Sequence, residues 1–360
     1  MNPFSYGKIA KKNFWGREKE ISLLSRYIES GQNVYLYGKR RIGKTSLIFK
    51  VLDSAKKKHV FVDLYGVSDE RDLLNRMIKS LVKTQKNLLS WEKILSIFKR
   101  FSPTLSIDPL TGENEFSFKI SETDLDSIEL FFDEIEKMAK DNSIVVVFDE
   151  FQDIKRLKKS GSILGRFRAK IQQQEGIPYI FSGSDRGELY KIFSSPDDAF
   201  YKSAFPMKLE RLDLKTVKKE IKKLLKERNI KIDDKVFSKT MELTNSTGDL
   251  IQVFFSLYLN LEGGSISLED LKEAFSFIYS IEEKEYKTIW TSLKDNEKEI
   301  LRHLSRNEES NISKNFLKKT DIHRTQIKRS LESLQEKKII TKDDNYEIYS
   351  PFFKEWIKGV

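Results

Sequence analysis

The chain has 360 residues, of which 39% are hydrophobic and 33% charged, with a formal net charge of +10. This composition is typical of a soluble globular protein and argues against a disordered or membrane-spanning one, and the length predicts two or three domains. No cysteine is present, which excludes disulfides, thiol catalysis and cysteine-ligated zinc. Residues 1–12 lack an apolar signal segment, so we expect a cytoplasmic protein without a membrane partner. The positive charge permits a polyanionic partner without favouring one.

The first predicted elements flank a glycine-rich loop. Residues 16–30 have the apolar spacing of an amphipathic helix, and residues 34–37 are of strand-forming type. Residues 46–52 have the pattern of the first turns of a buried helix. The intervening loop therefore follows a strand and opens a helix, which is the context of a phosphate-binding loop.

The loop matches the pattern G-x-x-x-x-G-K-T. Its glycines let backbone N–H groups curl around phosphates, and the helix N-terminus adds partial positive charge. Lys44 is expected to reach the β- and γ-phosphates, and the Thr45 hydroxyl to ligate Mg²⁺. A glycine-rich turn without a ligand is the lesser interpretation. The predicted nucleotide contacts are Gly38, Lys39, Arg40, Arg41, Ile42, Gly43, Lys44, Thr45 and Ser46.

Downstream, strand patterns alternate with helical ones, which predicts a parallel sheet covered by helices on both faces. Strands are predicted at 60–64, 144–148 and 179–181, and a last one at 207–212.

The stretch at about 87–123 interrupts this alternation. Residues 105–107 and 116–120 alternate in polarity around a turn-rich segment, which predicts a hairpin inserted at the edge of the sheet. A partner-binding role and simple decoration of the fold both fit the pattern.

Two carboxylates follow the apolar run at 144–148. Asp149 is expected at the carboxyl edge of a central strand, where it would hold Mg²⁺ through water. Glu150 is placed to orient or deprotonate an attacking water. The alternative is that the pair caps the following helix.

Ser182-Gly183-Ser184 ends the next predicted strand. A hydroxyl there would hydrogen-bond the γ-phosphate or the attacking water. Ser182 and Ser184 are both candidates, and a Ser-Gly turn without function is the alternative.

The C-terminal third is predicted to be helical over 214–286 and then to form a winged helix. Helices are expected around 300–304 and over 312–318 and 324–336, with a β-wing from 339 to 349. On the third helix, Ile327, Leu331 and Leu334 would face the core. The residues expected outside are Arg324, Thr325, Gln326, Lys328, Arg329 and Ser333.

Such a face suits base and phosphate contacts if the third helix enters the major groove. The predicted DNA contacts are Arg324, Gln326, Lys328 and Arg329. Protein docking or regulation stays open, because the module carries many acids, including Asp343 and Asp344 at the wing tip.

In this order the motifs resemble those of the archaeal ATPase family, within the AAA+/STAND group of P-loop NTPases. The likeness rests on Phe14 to Glu20, the double arginine of the phosphate loop, Phe148 to Gln152, Ser182 to Ser184, and Ser350 to Trp356. It implies that Arg17 lies near the nucleotide base and that the nucleotide is ATP.

Two departures bear on activity. Lys202-Ser203 stands where relatives often carry Gly-Arg, and a lysine is a poorer trans-acting finger because it lacks the bidentate fork. No sensor arginine follows Thr247-Gly248-Asp249. The resemblance therefore implies slow hydrolysis and a nucleotide that acts mainly as a switch. Self-association through Lys202 stays open.

The predicted fold is an α/β P-loop NTPase core with a helical lid and a winged helix. The predicted domains are residues 1–212 with the insertion, 213–290 and 291–360. The predicted function is Mg²⁺-dependent ATP binding and hydrolysis, with ATP or ADP as ligand, Lys44, Asp149, Glu150 and Ser182 as catalytic residues and Thr45 and Asp149 as metal ligands. The alternative is an ATP-licensed, initiator-like DNA-binding regulator. Small-molecule kinase activity is disfavoured because nothing indicates an acceptor pocket.

Overall fold

The chain divides into two compact units. Residues 17–210 form the first, and residues 211–360 with the described residues up to Gly16 form the second. The predicted three-domain division stays a prediction. The computed structural model describes residues 2–4, 14–85, 103–107, 114–118, 126–141, 143–183, 186–261, 263–306, 322–342 and 345–360.

The first unit is built on a five-stranded parallel sheet with the strand order β2-β5-β6-β1-β7. The predicted parallel α/β core is confirmed. Strand β6 separates β1, which leads into the phosphate loop, from β5, which ends in the acidic pair. The strands are β1 (Val34–Tyr37), β2 (Lys58–Asp63), β5 (Ile144–Asp149), β6 (Tyr179–Gly183) and β7 (Phe205–Lys208).

Helices connect these strands, as the alternating pattern predicts. Every residue of β5 is buried, and a group of aromatic rings including Phe148, Phe181 and Phe193 packs in the same core. The helical segments are α1 (Glu18–Glu29), α2 (Lys44–Ala55), α3 (Glu70–Gln85), α4 (Asp126–Asp141), a 3-10 helix (Phe151–Arg156), α5 (Ser160–Gln173) and α6 (Arg186–Ser194).

The predicted hairpin is present as β3 (Pro103–Ile107) and β4 (Asn114–Phe118), which pair antiparallel. Among the described residues these strands form a two-stranded sheet of their own. Their predicted place at the edge of the parallel sheet stays a prediction. The turn between them lies outside the described residues.

The second unit is mainly helical. Its helices are α7 (Leu214–Lys226), α8 (Asp234–Leu243), α9 (Thr247–Leu259), α10 (Leu268–Ser292), α11 (Asp295–Arg306), α12 (Arg324–Glu336) and α13 (Pro351–Lys358). The continuous helical prediction over 214–286 is wrong in one respect, because β8 (Lys231–Ile232) pairs in parallel with β9 (Ser265–Ile266). Two-residue strands are too short to leave a period-two pattern.

The C-terminal helices and the wing follow the winged-helix pattern. The wing consists of β10 (Ile340–Lys342) and β11 (Tyr346–Ile348), paired antiparallel. The predicted helix at 312–318 and the wing-tip acids lie outside the described residues. Ser350 accepts a hydrogen bond from the Phe353 N–H and so caps α13, which has Pro351 in its first turn. Among the described residues, no helix has the length and apolar character needed to span a bilayer.

One buried carboxylate joins helices of the winged helix. Glu297 of α11 is 1% exposed and accepts hydrogen bonds from Lys337 at 2.9 Å and Ser333 at 2.7 Å. Burial acts to raise the pKa of Glu297, but the hydrogen bonds from Lys337, Ser333 and the Lys294 N–H outweigh it. The pKa of Glu297 therefore lies below its ordinary value of 4.5.

We expect Glu297→Gln to lower the free energy of unfolding by about 2 kcal/mol near neutral pH, because it removes the charge that these donors stabilise. Because folding lowers the pKa of Glu297, this stabilisation is fully present at pH values above 4.5. It is lost as the pH falls through the lower pKa that Glu297 has in the folded state. Denaturant titrations at neutral and acid pH should show the difference from wild type shrinking in acid.

Glu299→Gln is the matched control, since Glu299 pairs with Arg302 on the exposed side of the same helix. We expect it to cost less than about 0.5 kcal/mol. Equal losses in the two variants would contradict the assigned role of Glu297.

Candidate functional site

The phosphate loop runs from the end of β1 to the first turn of α2. Arg41 has φ 59° and Gly43 has φ 102°, so the loop uses the left-handed region twice. A Cβ at Gly43 would have no atom within 4 Å. Glycine at 43 therefore suits this left-handed backbone conformation, and it borders open space.

Gly38 meets a steric requirement that the sequence did not indicate. A Cβ at this position would lie 2.3 Å from the carbonyl oxygen of Leu209. The Leu209 N–H also donates to the Tyr37 carbonyl at 2.8 Å, just beyond β7. The first glycine of the loop is thus fixed by the neighbouring chain of the sheet, and not only by room for phosphate.

Lys44 is buried, with 6% of its surface exposed. Its Nζ donates to the carbonyl oxygens of Gly38 and Lys39, both at 3.1 Å. Burial lowers the pKa of Lys44, and the carboxylates of Glu150 and Asp149 oppose this shift. The ammonium group therefore lies inside the curl of the loop.

Asp149 joins the loop to two strand ends. The Thr45 hydroxyl donates to Asp149 Oδ2 at 2.9 Å, and the Ser182 hydroxyl donates to Asp149 Oδ1. Burial raises the pKa of Asp149, while these hydroxyl hydrogen bonds lower it in part. Three residues predicted from sequence thus meet at one carboxylate. Ser184, the other candidate, lies outside the described residues.

Glu150 has a separate environment. It adopts φ 53°, and its side chain makes no capping hydrogen bond to the 3-10 helix that follows, which argues against the capping interpretation. Instead Glu150 Oε2 accepts a hydrogen bond from Gln152 Nε2 at 2.6 Å. Gln152 had no role of its own in the sequence-based predictions. The available signal was its place as the last residue of the Phe148 to Gln152 motif, two residues after Glu150.

Arg17 contacts the phosphate loop from outside, and Arg40 is part of it. Arg17 is 4% exposed, pairs with Glu20 at 2.9 Å and reaches the Ile42 carbonyl at 3.4 Å. Burial lowers the pKa of Arg17, and Glu20 opposes the shift. The Arg40 guanidinium lies 5.5 Å from the centre of the Tyr65 ring. Contact of Arg17 with a nucleotide base stays a prediction.

Lys202 lies in a tight turn. It has φ 54°, and its Nζ is 5.2 Å from the centre of the Tyr201 ring. Its predicted role as a trans-acting finger stays a prediction.

The segment that lacks a sensor arginine has its own structural role. Ser246 and Asp249 form a capping box at the start of α9. Arg211, which sequence analysis did not single out, donates to the Thr244 hydroxyl at 2.6 Å in the same unit.

The predicted nucleic-acid face of α12 is largely as expected. Arg324, Gln326, Lys328 and Arg329 are exposed, while Ile327 is buried. Ser333 is a correction, because it is half-buried and donates to Glu297 rather than pointing outward. Its hydroxyl is used to hold α12 against α11.

Comparisons with known proteins agree with this arrangement. A family described as an ATPase domain predominantly from Archaea matches residues 14–244, and a winged-helix domain family matches residues 284–359. No curated protein sequence matches the chain.

Solved structures share the fold over nearly the whole chain. The Walker-type ATPase of Pyrococcus abyssi is 20% identical, with a TM-score of 0.69, and the match covers 99% of this chain and 100% of that one. The Aeropyrum pernix ORC2 protein, solved with ADPNP and ADP, is 13% identical with a TM-score of 0.57, covering 99% and 98%. The Aeropyrum pernix ORC1 protein, solved with DNA, is 10% identical with a TM-score of 0.55, covering 97% and 94%.

The ATPase family match spans more than half of the chain and contains the phosphate loop, the acidic pair and Ser182. The chain therefore belongs to the family of ATPase domains found predominantly in Archaea.

Proposed function

We propose that the protein is a Mg²⁺-dependent ATPase whose nucleotide state acts as a conformational switch. The observation that supports this most directly is the 2.9 Å hydrogen bond between the Thr45 hydroxyl and the Asp149 carboxylate, beside an ammonium group inside the phosphate loop.

The residues at this point fit Mg²⁺. Hydroxyl and carboxylate oxygens are the hard ligands that the ion prefers, and Mg²⁺ commonly takes only one or two protein ligands together with substrate phosphates. Thr45 and Asp149 would hold it. When bound, the ion would neutralise charge on the β- and γ-phosphates.

The phosphate loop binds the triphosphate chain. Lys44 now donates to two loop carbonyls, and phosphate oxygens offer its ammonium group stronger, charge-assisted acceptors at the same place. The backbone N–H groups at the N-terminus of α2 supply further donors, and Gly43 adds no side chain that would obstruct the approach of phosphate.

The two adjacent acids take different roles because their partners differ. Asp149 already accepts two hydroxyl hydrogen bonds, from Thr45 and Ser182, and would serve with Thr45 as a Mg²⁺ ligand. Glu150 is held by an amide, and its carboxylate accepts the proton of the water that attacks the γ-phosphate. Hydrolysis is slow in this proposal, because no sensor arginine follows Asp249, which instead caps α9 together with Ser246.

A second candidate function is ATP-licensed DNA binding through α12. The exposed cations Arg324, Lys328 and Arg329, with Gln326 between them, support it. The fold is shared with an ORC1 protein that was solved with DNA. Phosphate contacts of this kind supply most of the affinity of a DNA-binding module.

We expect Lys44→Ala to abolish ATP binding, and Glu150→Gln to retain binding but lower turnover by about 10²- to 10⁴-fold, because it removes the proton acceptor alone. Isothermal calorimetry measures the binding, and phosphate release measures the turnover. Removal of Mg²⁺ with EDTA should bring wild-type turnover to background.

Lys191→Ala is the control, since Lys191 is an exposed lysine of the same unit paired with Glu188. Thr45→Val should lose the Mg²⁺-dependent part of ATP affinity, whereas Thr84→Val, whose hydroxyl bonds the His59 carbonyl, should not. ATP turnover that survives both Lys44→Ala and Glu150→Gln would reject the assignment.

For the switch, we expect Glu150→Gln to show different small-angle X-ray scattering profiles when loaded with ATP and with ADP, because the variant keeps the triphosphate intact. Lys44→Ala, which should bind neither nucleotide, gives the reference profile. Identical profiles for ATP-loaded and ADP-loaded protein would reject a switch.

For DNA binding, Arg329→Ala should weaken duplex affinity about tenfold and reduce the salt slope by about one, because one phosphate contact is lost. Fluorescence anisotropy at several salt concentrations measures both. Lys287→Ala, a paired lysine on α10, is the matched control. Absence of wild-type binding at low salt would exclude this second function.

A further inference from the structure

The Gln152 side chain is almost completely enclosed beside the acidic pair. It is 7% exposed and lies at the start of the 3-10 helix that follows β5. Its Nε2 donates to Glu150 Oε2 at 2.6 Å. Its Oε1 is buried and has no hydrogen-bond partner among the described residues.

The chemistry of the two groups fixes which end of the amide faces Glu150. An ionised carboxylate only accepts hydrogen bonds, so a 2.6 Å contact requires the N–H₂ end. The reversed amide would set two acceptor oxygens against each other. The Gln152 Nε2 group therefore donates to Glu150, while the Oε1 atom is left without a hydrogen-bond partner among the described residues.

Gly183 provides the space for this amide. A Cβ at Gly183 would lie 2.2 Å from Gln152 Oε1 and 3.1 Å from Leu189 Cδ2. Gly183 lies outside the left-handed region in which glycine is favoured, so its backbone conformation does not require a glycine. A side chain at 183 would have to displace the Gln152 amide from its position beside Glu150.

We propose that Gln152 is a positioning residue that holds the Glu150 carboxylate in one orientation, and that Gly183 exists to admit its amide. The inference rests on the proposed role of Glu150 as proton acceptor. The donor comes from the same short segment as Glu150, and Gly183 belongs to β6, the strand between the phosphate-loop strand and the acidic strand. Packing between β5 and β6 thereby sets the direction of the carboxylate.

Gln152→Met keeps the size of the side chain and removes the donor. We expect kcat for ATP to fall about 10- to 100-fold, because a misdirected Glu150 carboxylate accepts the proton of the attacking water less efficiently. We expect KM to change less than about twofold. The midpoint of thermal unfolding should stay equal or rise, since a buried unsatisfied oxygen is removed.

Gln252→Met is the matched control. Gln252 is 4% exposed and also donates to a glutamate, Glu282, at 2.6 Å, but it lies in the second unit. We expect its kcat to equal that of wild type. An unchanged kcat in Gln152→Met, or a fall in kcat matched by equal losses of nucleotide affinity and thermal stability, would overturn the proposal.

A stability cycle gives a readout that does not depend on turnover. Gly183→Ala should lower the unfolding midpoint by about 4 °C or more in wild type, and by less than half as much in Gln152→Ala, where the space is free. If Gly183→Ala lowered the unfolding midpoint equally in wild type and in Gln152→Ala, the proposal would be overturned. A wild-type enzyme without Lys44-dependent turnover would refute the proposed function, and this cycle would still decide whether the amide and Gly183 are coupled.

Discussion

The hydrogen bonds to Asp149 are the interactions on which the site depends. The carboxylate accepts the Thr45 hydroxyl on one oxygen and the Ser182 hydroxyl on the other. The carboxylate stands at the end of β5, and its two partners come from the first turn of α2 and the end of β6, so the three residues are far apart in sequence. A parallel sheet brings them together because the carboxyl ends of its strands share one edge. The strand order, with β6 between β1 and β5, therefore determines the chemistry as much as the residues do.

The burial that shapes this site also acts on its charges. Lys44 and Asp149 are both buried, which lowers the pKa of the first and raises the pKa of the second. Both pKa shifts disfavour the charged form of the group. Partners of opposite charge nearby counteract them and stabilise the charged form. Within the chain, the Glu150 and Asp149 carboxylates play this part for Lys44, and the Lys44 ammonium group plays it for Asp149.

The sequence predicted those parts of the protein that depend on local spacing. The phosphate loop, the acidic pair and Ser182 follow from short motifs at strand ends, and α12 follows from its apolar period. What sequence could not give depends on contacts between distant segments. The close approach of Gln152 to Gly183 and the use of Ser333 by Glu297 leave no periodic signal. The short pairing of β8 with β9 is likewise below the length at which alternation can be recognised.

The close approach of Gly38 to the Leu209 carbonyl limits what this position can hold. The Leu209 N–H is hydrogen-bonded to the Tyr37 carbonyl at 2.8 Å, so the two backbones are already paired beside the loop. A Cβ at Gly38 would lie 2.3 Å from the Leu209 oxygen, and any larger residue would have to push this pairing apart. The entrance of the phosphate loop is therefore intolerant of substitution for a purely steric reason, whatever the ligand.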